Sequence, residues 1–204
     1  MFFKQIKLHG DNFSYIIADS KTKEAAVVDS GFNSEEIKNI LSKESLKLVY
    51  ILNTHDHIDH GFGDDELRLR FEAKTVAHPK AKVSPDLKIN EEEVIQIGDI
   101  SITVIYTPGH SLDSVCFLIN GQLLLTGDTL FVGEIGSTSL PGGDSKEMYS
   151  SLFNKILKLK DEVQIYPGHD CGAKPLSTIG EEKQSNYALQ PRTIEQFIEL
   201  MKMP

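Results

Sequence analysis

No apolar run in this chain approaches the roughly 20 residues that a membrane-spanning helix needs, which argues against a transmembrane protein. Cysteine is scarce. Cys116 and Cys171 form neither a CxxC pair nor a disulfide framework. Basic charge is in short supply as well: 21 Lys and Arg against 30 Asp and Glu leave a formal net charge of −9. Such a surface repels phosphate backbones, so no nucleic-acid partner is expected, and no membrane partner either. The opening run from Met1 to Lys7 meets a lysine before any apolar signal region forms, so a reducing cytoplasm is the simplest compartment. No linker, low-complexity tract or solenoid-length repeat interrupts the 204 residues. The chain suits a single domain over 1–204, with a short helical tail over about 177–204. What remains is ordinary for a globular protein: 40% apolar and 25% charged residues.

Short strands are expected at 1–8, 13–18 and 25–29, separated by the turn residues Gly10-Asp11-Asn12 and the stretch from Asp19 to Lys23. A helix over Asn33–Leu41 would open on a capping box of Asn33 and Glu36 and bury Ile37, Ile40 and Leu41. Leu48–Leu52 reads as a buried strand, Gly63–Phe71 as a helix and Lys74–Ala77 as a strand. The middle of the chain is strand-rich: residues 101–106 alternate, and Asn120-Gly121 is the two-residue turn of a hairpin joining 115–119 to 122–125. Asp144 and Glu147 can box a helix that buries Met148, Leu152, Ile156 and Leu159. Val163–Tyr166 is a final strand. Thr193 and Gln196 cap a last helix whose apolar face is Ile194, Phe197, Ile198 and Met201. Two strand groups, each followed by helices, indicate a layered α/β sandwich.

The chemistry is concentrated in Asn53-Thr54-His55-Asp56-His57-Ile58-Asp59-His60-Gly61, directly after the Leu48–Leu52 strand. In an extended segment His55 and His57 point the same way, and Asp59 and His60 can turn toward a neighbouring point. Three more strands end the same way, in Thr107-Pro108-Gly109-His110, Thr126-Gly127-Asp128-Thr129 and Pro167-Gly168-His169-Asp170. Each delivers a metal-competent side chain beside a glycine, just past a strand's C-terminal end, where open α/β sheets bind their ligands. Asp56, between two of these histidines, is expected to point away and bond backbone or a ligand. Asp29 reads as a turn-stabilising acceptor, and Asp170 as either a surface residue or a support for a ligand. His9 and His78 read as structural or surface residues. Cys116 reads as core, Cys171 as structural at the edge of the site, and Glu91-Glu92-Glu93 as a solvated face.

The run Thr54-His55-Asp56-His57-Ile58-Asp59-His60, with His110, Asp128 and His169, resembles the metallo-β-lactamase superfamily. Gly127-Asp128-Thr129-Leu130-Phe131, Pro141-Gly142-Gly143-Asp144 and Pro167-Gly168-His169-Asp170 are similar to its glyoxalase II and persulfide-dioxygenase branch. The resemblance implies a four-layered αβ/βα sandwich of two mixed β-sheets flanked by helices. It implies one metal site of His55, His57 and His110, a second of Asp59, His60 and His169, and Asp128 bridging both. Two Zn²⁺ per chain, with Fe²⁺ as an alternative, would suit these nitrogen and carboxylate donors. The implied activity is glyoxalase II-like hydrolysis of a small thioester or acyl ester by a metal-bridging hydroxide, which Asp59 would orient.

The alternative in the same branch is a mononuclear iron persulfide dioxygenase using His55, His110 and Asp128. Either way the partner is a small-molecule thioester or thiol-derived substrate. Two positions depart from the branch: Ser137 stands where relatives commonly carry an arginine that contacts an anion or glutathione, and Cys171 where they often carry a tyrosine. About 35 residues follow His169, too few for the helical domain that supplies much of the glutathione site in full-length glyoxalase II. A nuclease of this fold is opposed by the acidic charge. A β-lactamase is opposed by the lack of an export signal and by histidine at position 60.

Overall fold

Strands β1 (Phe2–Lys7), β2 (Phe13–Ala18) and β3 (Glu24–Val28) form an antiparallel meander. β3 then pairs in parallel with β4 (Lys47–Leu52), β4 with β5 (Lys74–Ala77), and β5 with β6 (Leu87–Lys88). The second sheet is mixed too. Strands β7 (Val94–Ile97), β8 (Ile100–Tyr106), β9 (Val115–Ile119) and β10 (Leu123–Gly127) are antiparallel, β11 (Gln164–Pro167) runs parallel to β10, and β12 (Ser177–Thr178) closes the edge. The computed structural model describes residues 1–202.

The pleat sends alternate side chains to opposite faces. Tyr15, Ile17, Val28 and Leu52 meet Ile102, Val104, Phe117 and Leu125 between the sheets. Ile16, Val27 and Ile51 point outward, against Ile37 and Leu41 of α1 (Glu35–Lys43) and Leu67 of α3 (Asp64–Phe71). On the far side Leu124 and Ile165 pack under Met148 of α4 (Ser145–Ser150), Ile179 of α5 (Ile179–Ser185) and Phe197 of α6 (Ile194–Leu200). The result is the expected sandwich of two mixed six-stranded sheets with helices on both outer faces.

Local signals hold in part. Asn120 and Gly121 take φ values of 49° and 70°, both positive as a type I′ turn requires. The Thr193–Gln196 capping box is present. The one expected for α1 is not: Asn33 is left-handed at φ 65°, Ser34 is the N-cap, and its hydroxyl donates to Glu66 of α3. At α4, Asp144 Oδ1 accepts from Lys146 and Glu147 N–H at 2.7 and 3.1 Å. The return bond is missing, because the Asp144 N–H donates to the Gly109 carbonyl at 2.8 Å. The helix expected onward to Leu159 is regular only to Ser150, then widens to a π-turn over Ser151–Lys155 and tightens over Ile156–Lys158. The Ser151 hydroxyl donates to the Pro108 carbonyl at 2.7 Å, so this element is tied twice to the loop that carries His110.

Candidate metal centre

Four strand ends converge on one rim. β4 leads into His55 and His57, β8 into His110, β10 into Asp128 and β11 into His169. His57 closes the extended stretch at φ −68° and ψ 142°, and the short α2 (Ile58–Gly61) then swings Asp59 and His60 inward. That helical turn was not expected from the sequence. All seven residues singled out as metal-competent gather in three overlapping groups: His55, His57 and His110; His55, His60 and Asp128; Asp59, His60 and His169.

His57 Nδ1 lies 3.0 Å from His55 Nε2 and 3.0 Å from His110 Nε2. His60 Nε2 lies 3.2 Å from His169 Nε2, and Asp59 Oδ2 lies 3.4 Å from that same His169 atom. Asp128 stands between the groups: Oδ2 is 3.5 Å from His110 Nε2 and 3.4 Å from His169 Nε2, while Oδ1 is 3.4 Å from His60 Nε2.

The outer nitrogens explain why these rings face inward. His55 Nδ1 bonds Thr54 Oγ1 at 3.1 Å, and Thr54 Oγ1 donates to Asp29 Oδ2 at 2.7 Å. His60 Nδ1 meets the same Asp29 oxygen at 3.0 Å. His110 Nδ1 bonds the Ser137 carbonyl at 2.8 Å, and His169 Nδ1 bonds Asp11 Oδ1 at 3.2 Å. With Nδ1–H donating outward, His55, His60, His110 and His169 would each present Nε2 to the centre, as metal-ligating histidines do, while His57 presents Nδ1. Asn12 donates to Asp59 Oδ2 at 3.0 Å. Close approach of two backbones completes the rim. A Cβ on Gly168 would lie 2.4 Å from Asp128 Oδ1, and one on Gly136 would lie 1.8 Å from the Asp128 carbonyl.

Asp29 is therefore more than the expected turn acceptor. It supports His60 directly and His55 through Thr54. Asp56 does turn away, accepting from the Lys82 N–H. Asp170 pairs with Lys7 at 2.6 Å. His78 is stacked on Tyr106, 4.2 Å between ring centres, and His9 is exposed. Glu91 is less idle than a solvated face, because it accepts from Tyr106 N–H and Lys155 Nζ. Asn12, Asp11 and the Ser137 carbonyl were missed from the sequence. Their only signal is tertiary: Asn12 bridges to His169 across the two sheets.

The donor set fits a metal. Asp128 Oδ1 is buried and receives no hydrogen bond, an orphan that a cation would satisfy. Burial works against charge on Asp128, yet His60, His169 and His55 around it hold its carboxyl far below the usual range. Burial also disfavours charge on His60, but Asp128 and Asp29 overcome it and raise its pKa to about 9. Burial lowers His55 and His110. Cys171, exposed beside the rim, has its thiol pushed up by partial burial and neighbouring acids, and stays protonated at neutral pH. Buried Cys116 is pushed up to about 11.

The described residues include no helix long and apolar enough to cross a membrane. Residues 9–169 match the family model of the metallo-beta-lactamase superfamily. The chain is 33% identical over 192 residues to mitochondrial persulfide dioxygenase ETHE1 of Mus musculus, covering 93% of this chain and 75% of that protein. It is 34% identical over 186 residues to a hydroxyacylglutathione hydrolase of Rhodopseudomonas palustris, covering 89% and 71%. The crystal structure of ETHE1 from Myxococcus xanthus superposes with a TM-score of 0.92 at 29% identity, covering 100% of this chain and 92% of that one. Fold, histidine–aspartate rim and sequence agree, and this chain belongs to the metallo-β-lactamase superfamily.

Proposed function

We propose that this enzyme is a metal-dependent hydrolase of a small thioester or related acyl ester. His55, His57 and His110 would hold one ion, Asp59, His60 and His169 a second, and Asp128 would bridge them. The observation that carries this reading is the position of Asp128 Oδ2, 3.5 Å from a nitrogen of the first group and 3.4 Å from one of the second. Nitrogen and carboxylate donors suit Zn²⁺, and also Fe²⁺. Two such cations, when bound, lower the pKa of a shared water and polarise a carbonyl.

The protein's own groups do the rest. Asp59, whose Oδ2 is held by Asn12 beside His169, would accept a proton from an attacking water through its carboxylate and aim it. Asp29, Thr54, Asp11 and the Ser137 carbonyl lock the imidazoles, so little reorganisation is needed during reaction. No protein nucleophile is called on. There is no G-x-S-x-G elbow, and Cys171 holds its proton.

A second reading, a mononuclear iron persulfide dioxygenase using His55, His110 and Asp128, is favoured by the likeness to the ETHE1 proteins. The two separate in one experiment: metal content of the purified protein, alongside hydrolysis of lactoyl thioesters, S-lactoylglutathione included, and oxygen uptake with glutathione persulfide. Two zinc ions and thioester hydrolysis support the first reading. One iron with oxygen uptake overturns it in favour of the second.

A further inference from the structure

A cavity of about 580 Å³ adjoins the candidate metal centre, sharing His57 as part of its wall. That size falls within the range of small-molecule sites, roughly 300–1,000 Å³. The cavity lies past the C-terminal end of β4 and beside Thr75 of β5, between α2–α3 and the segment at residues 83–86. Three of its apolar side chains, Ile58, Phe62 and Val83, are more than half exposed, although most apolar side chains here are buried.

The charge of the wall decides what can enter. Asp56, Asp65 and Asp86 line it, together with Asp64, whose carboxyl burial pushes up to about 7, against a single cation, Arg68. Arg68 is already drawn to Asp65, at 3.4 Å. Asp64 is held by Ser30 and Asn53, and Asp86 by Thr75. The wall therefore offers carboxylate acceptors and apolar surface, with no unengaged cation for an anion.

We infer that this cavity seats the thiol-carrier half of the substrate and selects a carrier without net negative charge, an apolar stem bearing neutral or cationic hydrogen-bond donors. Glutathione, with two carboxylates and one ammonium, is the wrong sign. The inference rests on the thioesterase reading for its role, but its binding preference can be read without turnover.

The test is calorimetric titration of the metal-loaded enzyme with two non-hydrolysable thioethers of similar size, neutral S-propylpantetheine and anionic S-propylglutathione. The expected result is at least a tenfold preference for the neutral ligand at low salt, narrowing as salt screens the wall. Asp65→Lys should tighten the glutathione thioether severalfold, and Phe62→Ala should weaken the pantetheine thioether severalfold. The inference is overturned if neither ligand binds, or if the glutathione thioether binds as tightly or more tightly and loses affinity on Arg68→Gln. It is overturned equally if both cavity variants leave both affinities unchanged. Matched lactoyl thioesters of the two carriers separate the failures. A neutral preference in binding with no hydrolysis of either ester sinks the functional reading alone; hydrolysis favouring the glutathione ester sinks the inference alone.

Discussion

Asp128 is the residue whose loss should be felt twice. Its two oxygens reach toward His60, His110 and His169, and a bridging carboxylate offsets the mutual repulsion of two cations. Asp128→Ala is expected to lose bound metal and, with it, at least about 100-fold in hydrolysis. Cys171→Ala should keep most of both. Metal analysis and a thioester assay on the two variants check this, and a Cys171→Ala protein that is fully metal-loaded yet inactive would point to a thiol mechanism instead. Asp29 should act at one remove. Removing it frees His60 Nδ1 and the Thr54 hydroxyl that steadies His55. Asp29→Ala should therefore weaken metal affinity about 10–100-fold, measured by competition with a chromophoric chelator.

The seven inward-facing groups were legible because they lie on the segments that follow four strands and carry their own chemistry. Asp11, Asn12 and the Ser137 carbonyl were not. Polar residues of their kind fill any turn, and only tertiary packing brings Asp11 against His169 of the other sheet and Asn12 against Asp59 of its own.

At the scale of elements, capping and burial give separable tests. Thr193 and Gln196 exchange bonds at the start of α6, with the Gln196 N–H donating to Thr193 Oγ1 at 3.3 Å and the Thr193 N–H to Gln196 Oε1 at 2.9 Å. Thr193→Ala should cost about 1 kcal/mol in denaturant unfolding and leave metal content unchanged. Asp64, at the start of α3, has its carboxyl pushed up to about 7, chiefly by burial. A carboxyl raised in the folded state stabilises it most at low pH, and that contribution fades as pH climbs from about 4 to about 7. Asp64→Asn removes the penalty. Its amide can donate to the Ser30 hydroxyl while its oxygen accepts from Asn53. The variant's stability relative to wild type should rise between pH 5 and pH 8, and a flat difference would show that Asp64 is not charged at a cost.

Element reading succeeded where a signal was local, as in the Asn120-Gly121 turn and the α6 box. It failed where the backbone or a tertiary partner displaced the expected cap. At α1 the left-handed Asn33 leaves the cap to Ser34, whose hydroxyl goes to Glu66, and at α4 Gly109 took the Asp144 N–H. The strand Ser177–Thr178 and helix α5 were folded into an undivided tail, since a two-residue strand carries no period of its own.

For the whole molecule, the two sheets and their flanking helices act as a clamp that brings four distant segments to one rim. The parallel pairs β3–β4–β5 and β10–β11 aim their C-terminal ends the same way, and the central core of Tyr15, Phe117 and their neighbours fixes the distance between the sheets. The account stands most directly on one measurement: metal per chain, by elemental analysis of protein purified without added metal. It predicts two ions, zinc foremost, both removed by chelation with loss of thioester hydrolysis. A single ion per chain, with hydrolysis absent, would contradict it.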